Sequence, residues 1–171
     1  PHPSTQEESP TPDSEPIPKF DVPEYTTDLD LTAEEMLAAE EALIGLQRYI
    51  FVSEQVMKSG GEDTVNIENV SVGRAKDGLD ETASNFRKEK KRFLGHIVSE
   101  DFHIHEMEIS KENKNELSIS ACLPADNWGV REGSNNASNH QLRDEARMIW
   151  TLKKESSTWK VAVQELYSEE C

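Results

Sequence analysis

Beyond residue 23 this chain is nearly devoid of proline. Of eight prolines, Pro1, Pro3, Pro10, Pro12, Pro16, Pro18 and Pro23 crowd the start, and only Pro124 lies further on. The rest of the chain is therefore free to build helices and central strands, which proline disrupts. Aromatics are also scarce, at 6% of 171 residues, and hydrophobic residues reach only 35%. One modest core is what such a composition can fill. No apolar run approaches the roughly 18 residues of a membrane-crossing helix. No hydrophobic signal segment opens the chain, and because Pro1 is not an initiator methionine the start is expected to be a processed or an artificially cut end.

Positive charge is in short supply: 18 Lys and Arg stand against 34 Asp and Glu, a net charge of −16. That balance excludes a body that attracts phosphate backbones as a whole, so no nucleic acid is expected as a partner. Two cysteines, Cys122 and Cys171, are too few for a disulfide framework. A buried thiol and a mobile terminal one are expected, with their pairing left open. A reducing intracellular compartment follows from that reading, cytosolic or organellar. Asn69-Val70-Ser71 and Asn136-Ala137-Ser138 fit the glycosylation sequon, which keeps secretion open. Gly-rich phosphate loops, nucleophile elbows and HExxH motifs are all missing.

What is present divides at about residue 30. Residues 1–30 hold Glu7, Glu8, Asp13, Glu15, Asp21, Glu24, Asp28 and Asp30 against Lys19 alone. So acidic and proline-rich a segment is expected to be disordered, with Phe20, Val22 and Tyr25 as a small apolar island near its end. A single domain is expected over residues 31–168. Its first helix starts at Thr32, because Thr32 and Glu35 form a capping box with Leu31 and Met36 as staple. Met36, Leu37, Leu43, Ile44, Ile50 and Phe51 supply an apolar stripe, and Gly60-Gly61 the stop. A second helix is expected over Glu81 to Leu94, with Ala83, Phe86, Phe93 and Ile97 inward. Phe102–Ile109, Leu117–Leu123, Ala146–Leu152 and Trp159–Val163 alternate like strands of a meander, the last two making a hairpin with Trp150 and Trp159 on opposite arms. The expected fold is α+β: two helices packed on a curved antiparallel sheet, cone-like, behind a disordered tail.

Few residues point to chemistry. His103 and His105, two apart on a strand, share a face; with His96, Glu106 or Glu108 they could approach a metal, but no third ligand of matching spacing is evident, so no metal and no cofactor are expected. Arg87, Lys88, Lys90, Lys91 and Arg92 form the one basic cluster, open to phosphate, to an acidic peptide, to anionic lipid or to the chain's own acidic tail. Trp128 stands beside Gly129 in a long polar loop, a plausible anchor for a partner.

The segment from Asn135-Asn136-Ala137-Ser138 through Ala146–Leu152 to Trp159-Lys160-Val161 and Leu166-Tyr167-Ser168 resembles the terminal hairpin of the nuclear transport factor 2-like superfamily. It is closest in layout to ARC6-like plastid-division and IMS-type domains. The resemblance implies a cone-shaped α+β fold used both by isomerase- or dehydratase-type enzymes and by non-catalytic binding modules. With no catalytic set in view, the first expectation is a protein-interaction or scaffolding module. Its partner site is Arg87, Lys88, Lys91, Arg92 and Trp128, and its partner a protein with an acidic surface. The alternative is a small-molecule enzyme with a pocket in the cone, using His103 or His105 with Asp101 or Asp144.

Overall fold

The computed structural model describes residues 15–110, 112, 114–124, 128–133 and 145–171. It is an α+β domain. In chain order come β1 (Tyr25–Thr27), α1 (Ala33–Lys58), α2 (Ile67–Val70), α3 (Gly73–Glu89), β2 (Lys91–Gly95), β3 (Glu100–Ile109), β4 (Asn115–Pro124), β5 (Trp128–Glu132), β6 (Glu145–Glu155) and β7 (Thr158–Ser168). Five strands form one sheet in the order β1-β3-β4-β6-β7, and β2 and β5 form a separate two-stranded ribbon. No described helix is long and apolar enough to cross a membrane.

The helix α1 starts where its capping box places it. Thr32 Oγ1 accepts from the Glu35 N–H, and the Glu35 carboxylate accepts from the Thr32 N–H. Its buried face runs Ala39, Ala42, Leu43, Leu46, Tyr49, Ile50, Val56, a three-and-four spacing that lays one side of the helix on the sheet. Met36 and Leu37, expected on that face, are exposed instead. The helix touches β7 closely: a side chain at Gly45 would meet the Trp159 carbonyl at 2.6 Å. Trp150 and Trp159 are both core residues but not cross-strand partners; Trp150 faces Gln164 and Trp159 faces Lys154.

Three expectations change. The sheet is mixed, because β1 runs parallel to β3. Thr27 Oγ1 donates to the Ile104 carbonyl at 2.9 Å, and β-branched Thr26-Thr27 suits an edge strand. Residues 15–30, assigned to the tail by composition, lie on the body: Ile17, Tyr25 and Leu29 pack on the core, and the Gln47 side chain donates to the Asp21 carbonyl. The second helix is not Glu81 to Leu94. It runs Gly73–Glu89, stops at Lys90 in the left-handed conformation (φ 53°), and the chain turns at once into β2.

Cys122 and Cys171 form a disulfide, so neither is the free thiol expected. Cys122 lies between the core residues Ala121 and Leu123, hence on the outer face of β4. The chain beyond β7 crosses β6 to reach it, where the Cys171 N–H donates to Glu145.

A candidate docking site on the β2–β5 ribbon

The ribbon is built by the turn at Lys90. A left-handed C-cap reverses the chain within one residue, and Gly133 N–H donates to the Lys90 carbonyl at 3.0 Å to close the far strand. Register then sets Lys91 opposite Glu132, Arg92 opposite Arg131, Phe93 opposite Val130 and Gly95 opposite Trp128. Because side chains alternate between faces, the two faces differ in chemistry.

One face is apolar. Phe93 and Trp128 stack with centroids 5.5 Å apart, and with Val130 and Phe86 they form a second small core that Met57 and Ile97 adjoin. This core is not closed over. It borders an apolar slot of about 300 Å³ lined by Met57, Phe86, Phe93, Trp128 and Val130, with Lys91 and Glu132 at the edge. Trp128, expected in a loop, is thus held on a strand and half-buried.

The other face is cationic. A bowl of about 320 Å³ is lined by Arg87, Lys90, Lys91, Arg92 and Arg131, with Glu62 its one acid. Lys91 is already paired with Glu89 and Glu132, and the Glu89 carboxylate bonded to its ammonium holds Lys91 above the usual lysine range. Arg87 donates to the Gly61 carbonyl and Arg92 weakly to the Lys58 carbonyl at 3.5 Å. Slot and bowl meet at Phe86 and Lys91, which line both. The structure therefore sets Arg87, Lys91 and Arg92 around one bowl, with Lys91 at the edge the bowl shares with the slot, leaves Lys88 exposed on α3 outside the bowl, and sets Trp128 on the ribbon face opposite Arg92 and Arg131. Arg131 was missed; Trp128, Val130 and Glu132 alternate around it, a strand too short to stand out without its partner.

A connector anchors the ribbon to α1. The buried Glu54 carboxylate accepts from the Ile97 N–H at 2.6 Å and pairs with Lys58 at 3.4 Å. Burying that acid requires these partners, so the route from β2 to β3 is fixed to the end of α1.

The histidines lie elsewhere. His103 falls between the core residues Phe102 and Ile104, so its ring projects from the sheet face away from the helices. His103 bonds Thr26 Oγ1 at 2.7 Å and approaches Asp28 at 3.6 Å. His105 bonds Ser120 Oγ at 2.7 Å and lies against Tyr167. Arg147 reaches the same Ser120 hydroxyl and the Asp101 carboxylate. Burial lowers the His105 pKa, with the His103 and Arg147 charges adding and Asp28 and Glu106 opposing. The cavity between helices and sheet, about 440 Å³, is lined instead by Tyr49, Leu79, Trp150 and Gln164 among others, and its ionisable lining residues are Tyr49 and Arg74. Burial pushes the Tyr49 pKa up to about 12, and an arginine stays charged, so neither is poised for proton transfer near neutrality. The pairing of His103 or His105 with Asp101 in a pocket is not what the described residues form. Asp144 lies outside the described residues.

No protein-family model matches the chain, and no curated protein does. Among solved structures, the crystal structure of the intermembrane space region of the chloroplast protein ARC6 is similar in layout, with a TM-score of 0.45 and 12% identity over 72% of this chain and 92% of that one. A de novo designed β-sheet protein solved by NMR overlaps with a TM-score of 0.26 and 14% identity over 77% of this chain and 86% of that one. Likenesses of this size carry no functional argument, and the nuclear transport factor 2-like expectation has no family match behind it.

Proposed function

We propose that this domain is a non-catalytic protein-interaction module that docks an acidic segment of a partner protein on the β2–β5 ribbon. The carrying observation is the meeting of an open apolar slot and a cationic bowl at Phe86 and Lys91. An apolar side chain of the segment enters the slot against Phe93 and Trp128, where aromatic surface supplies most of the affinity. Its acidic residues face Arg87, Lys91 and Arg92, with Lys88 adding to the local potential. Local positive charge on an acidic protein speeds and orients encounter more than it tightens binding. The disulfide fits an oxidising surrounding, which argues for an organellar or exported setting over a reducing one.

The test uses fluorescein-labelled peptides of three glutamates and one leucine or phenylalanine, read by anisotropy and surface plasmon resonance. Trp128→Ala should raise the dissociation rate about tenfold, as a lost aromatic anchor does. Charge reversal at Lys88 and Lys91 together should slow association and flatten its salt dependence. Failure of every such peptide to bind, or unchanged kinetics in both variants, would place the interface elsewhere.

A further inference from the structure

Arg92 and Arg131 stand directly opposite each other across the ribbon. Like charges in that position destabilise a strand pair. No described acid offsets them: the one bond of Arg92 goes to the Lys58 carbonyl, and Glu62 is the single acid among the bowl's lining residues. Lys91 is committed to Glu89 and Glu132, so Arg87, Lys90, Arg92 and Arg131 stand against Glu62 alone. An unfavourable pair kept inside a concave bowl, in a protein of net charge −16, calls for an anion that bridges it.

We infer that the bowl binds the phosphoryl group of a phosphorylated segment of the partner protein. This rests on the ribbon being the docking surface proposed above. A carboxylate brings one charge and two oxygens, and leaves one guanidinium of the pair unanswered. A phosphoryl dianion brings nearly two charges and three strong acceptor oxygens, which planar guanidinium forks match in geometry. The shared edge at Phe86 places an apolar neighbour of the phosphorylated residue in the slot, so the ligand is a peptide segment. An anionic membrane would be repelled by the acidic remainder of the molecule.

The experiment titrates the full chain with three labelled peptides of one sequence, carrying phosphoserine, glutamate or serine two residues before a leucine, with inorganic phosphate as competitor. The phosphoserine peptide should bind at least about tenfold more tightly than the glutamate peptide, reflecting bidentate recognition by arginine. That preference should shrink several-fold between about pH 7.5 and about pH 5.5, because the second phosphate proton binds near pH 6. Arg92→Gln and Arg131→Gln should each remove the preference, while Lys160→Gln on β7 should not. Equal binding of phosphoserine and glutamate peptides would overturn the phosphoryl inference and leave the docking function standing. Failure of all three to bind would overturn both. Inorganic phosphate competing as strongly as the peptide binds would make the bowl a site for free ions and refute the segment.

Discussion

Two residues show how much a single position carries. Gly61 has φ +83°, and a Cβ there would meet the Ala83 carbonyl oxygen at 2.0 Å. Its N–H donates to the Val56 carbonyl, closing the end of α1, and its own carbonyl holds Arg87. Gly61→Ala should cost about 3 kcal/mol or more, combining left-handed strain with a backbone clash that cannot relax. Gly60→Ala should cost less, about 1–2 kcal/mol for the left-handed conformation plus a small shift of the Lys91 carbonyl, which the new Cβ would meet at 3.3 Å. Urea denaturation of both variants measures the difference; equal losses would show that the contact with α3 yields. His105 makes a second case. Its pKa is lowered in the folded protein, so the unfolded chain takes up a proton first as pH falls. Stability should be full above about pH 6.5, the unfolded value, and decline below it until the folded histidine titrates, with no further loss from this group beyond that point. His105→Gln should flatten the decline in urea midpoints measured from neutral pH downward, and an unchanged slope would assign the titration to another group. The sequence showed His103 and His105 on one face; that this face lies away from the cavity depends on which side of the sheet the helices cover, a tertiary fact.

At the scale of elements, local signals succeeded where the cause is local. The start of α1 at Thr32 follows from side chains three residues apart, and Gly60-Gly61 marks its end within two residues. The boundary between α3 and β2 was misread because Lys90 adopts a left-handed conformation that glycine normally signals, while Gly73 and Gly78 lie within the helix. The strand β5 escaped notice because its partner β2 lies more than thirty residues earlier. The β6–β7 hairpin was legible, and its turn offers a test. Glu155 pairs with Thr158, leaving Ser156 (φ 56°) and Ser157 (φ 110°) as a two-residue loop. Both central residues have positive φ, which Asn-Gly tolerates far better than Ser-Ser. Replacing them by Asn-Gly should stabilise the domain by about 1 kcal/mol, since serine in such conformations is strained. A melting temperature that does not rise would show that the loop relaxes the strain in another way.

At the scale of the molecule, the α+β class, the helix-on-sheet packing and the basic cluster could be read from pattern and charge. The mixed sheet, the separate ribbon and the disulfide could not, because each depends on residues far apart in sequence. The disulfide is the plainest example: one cysteine is the last residue, the other lies mid-sheet, and nothing local joins them. It spans 49 residues of sequence, so the segment it closes contains β5, β6 and β7, and β5 is one whole arm of the two-stranded ribbon. Closing a loop of that size removes unfolded-state entropy worth about 4 kcal/mol in the chain-entropy model. Set against a typical stability of about 5–15 kcal/mol, its loss should weaken the fold without abolishing it. The core itself is independent of the bond: α1 lies on β7 where Gly45 approaches Trp159, and Leu43, Leu46, Trp150, Leu152 and Val161 are fully buried. Reduction with dithiothreitol should therefore lower the urea midpoint while a cooperative transition remains, and the Cys122→Ser, Cys171→Ser double variant should match the reduced protein. Since the ribbon's Phe93–Trp128 stack rests on α1 and α3 and not on the disulfide face of the sheet, Trp128 fluorescence in the folded state should be the same in both forms. A reduced protein with an unchanged midpoint would mean that the bond contributes nothing, and a shifted Trp128 signal would mean that it also positions the ribbon.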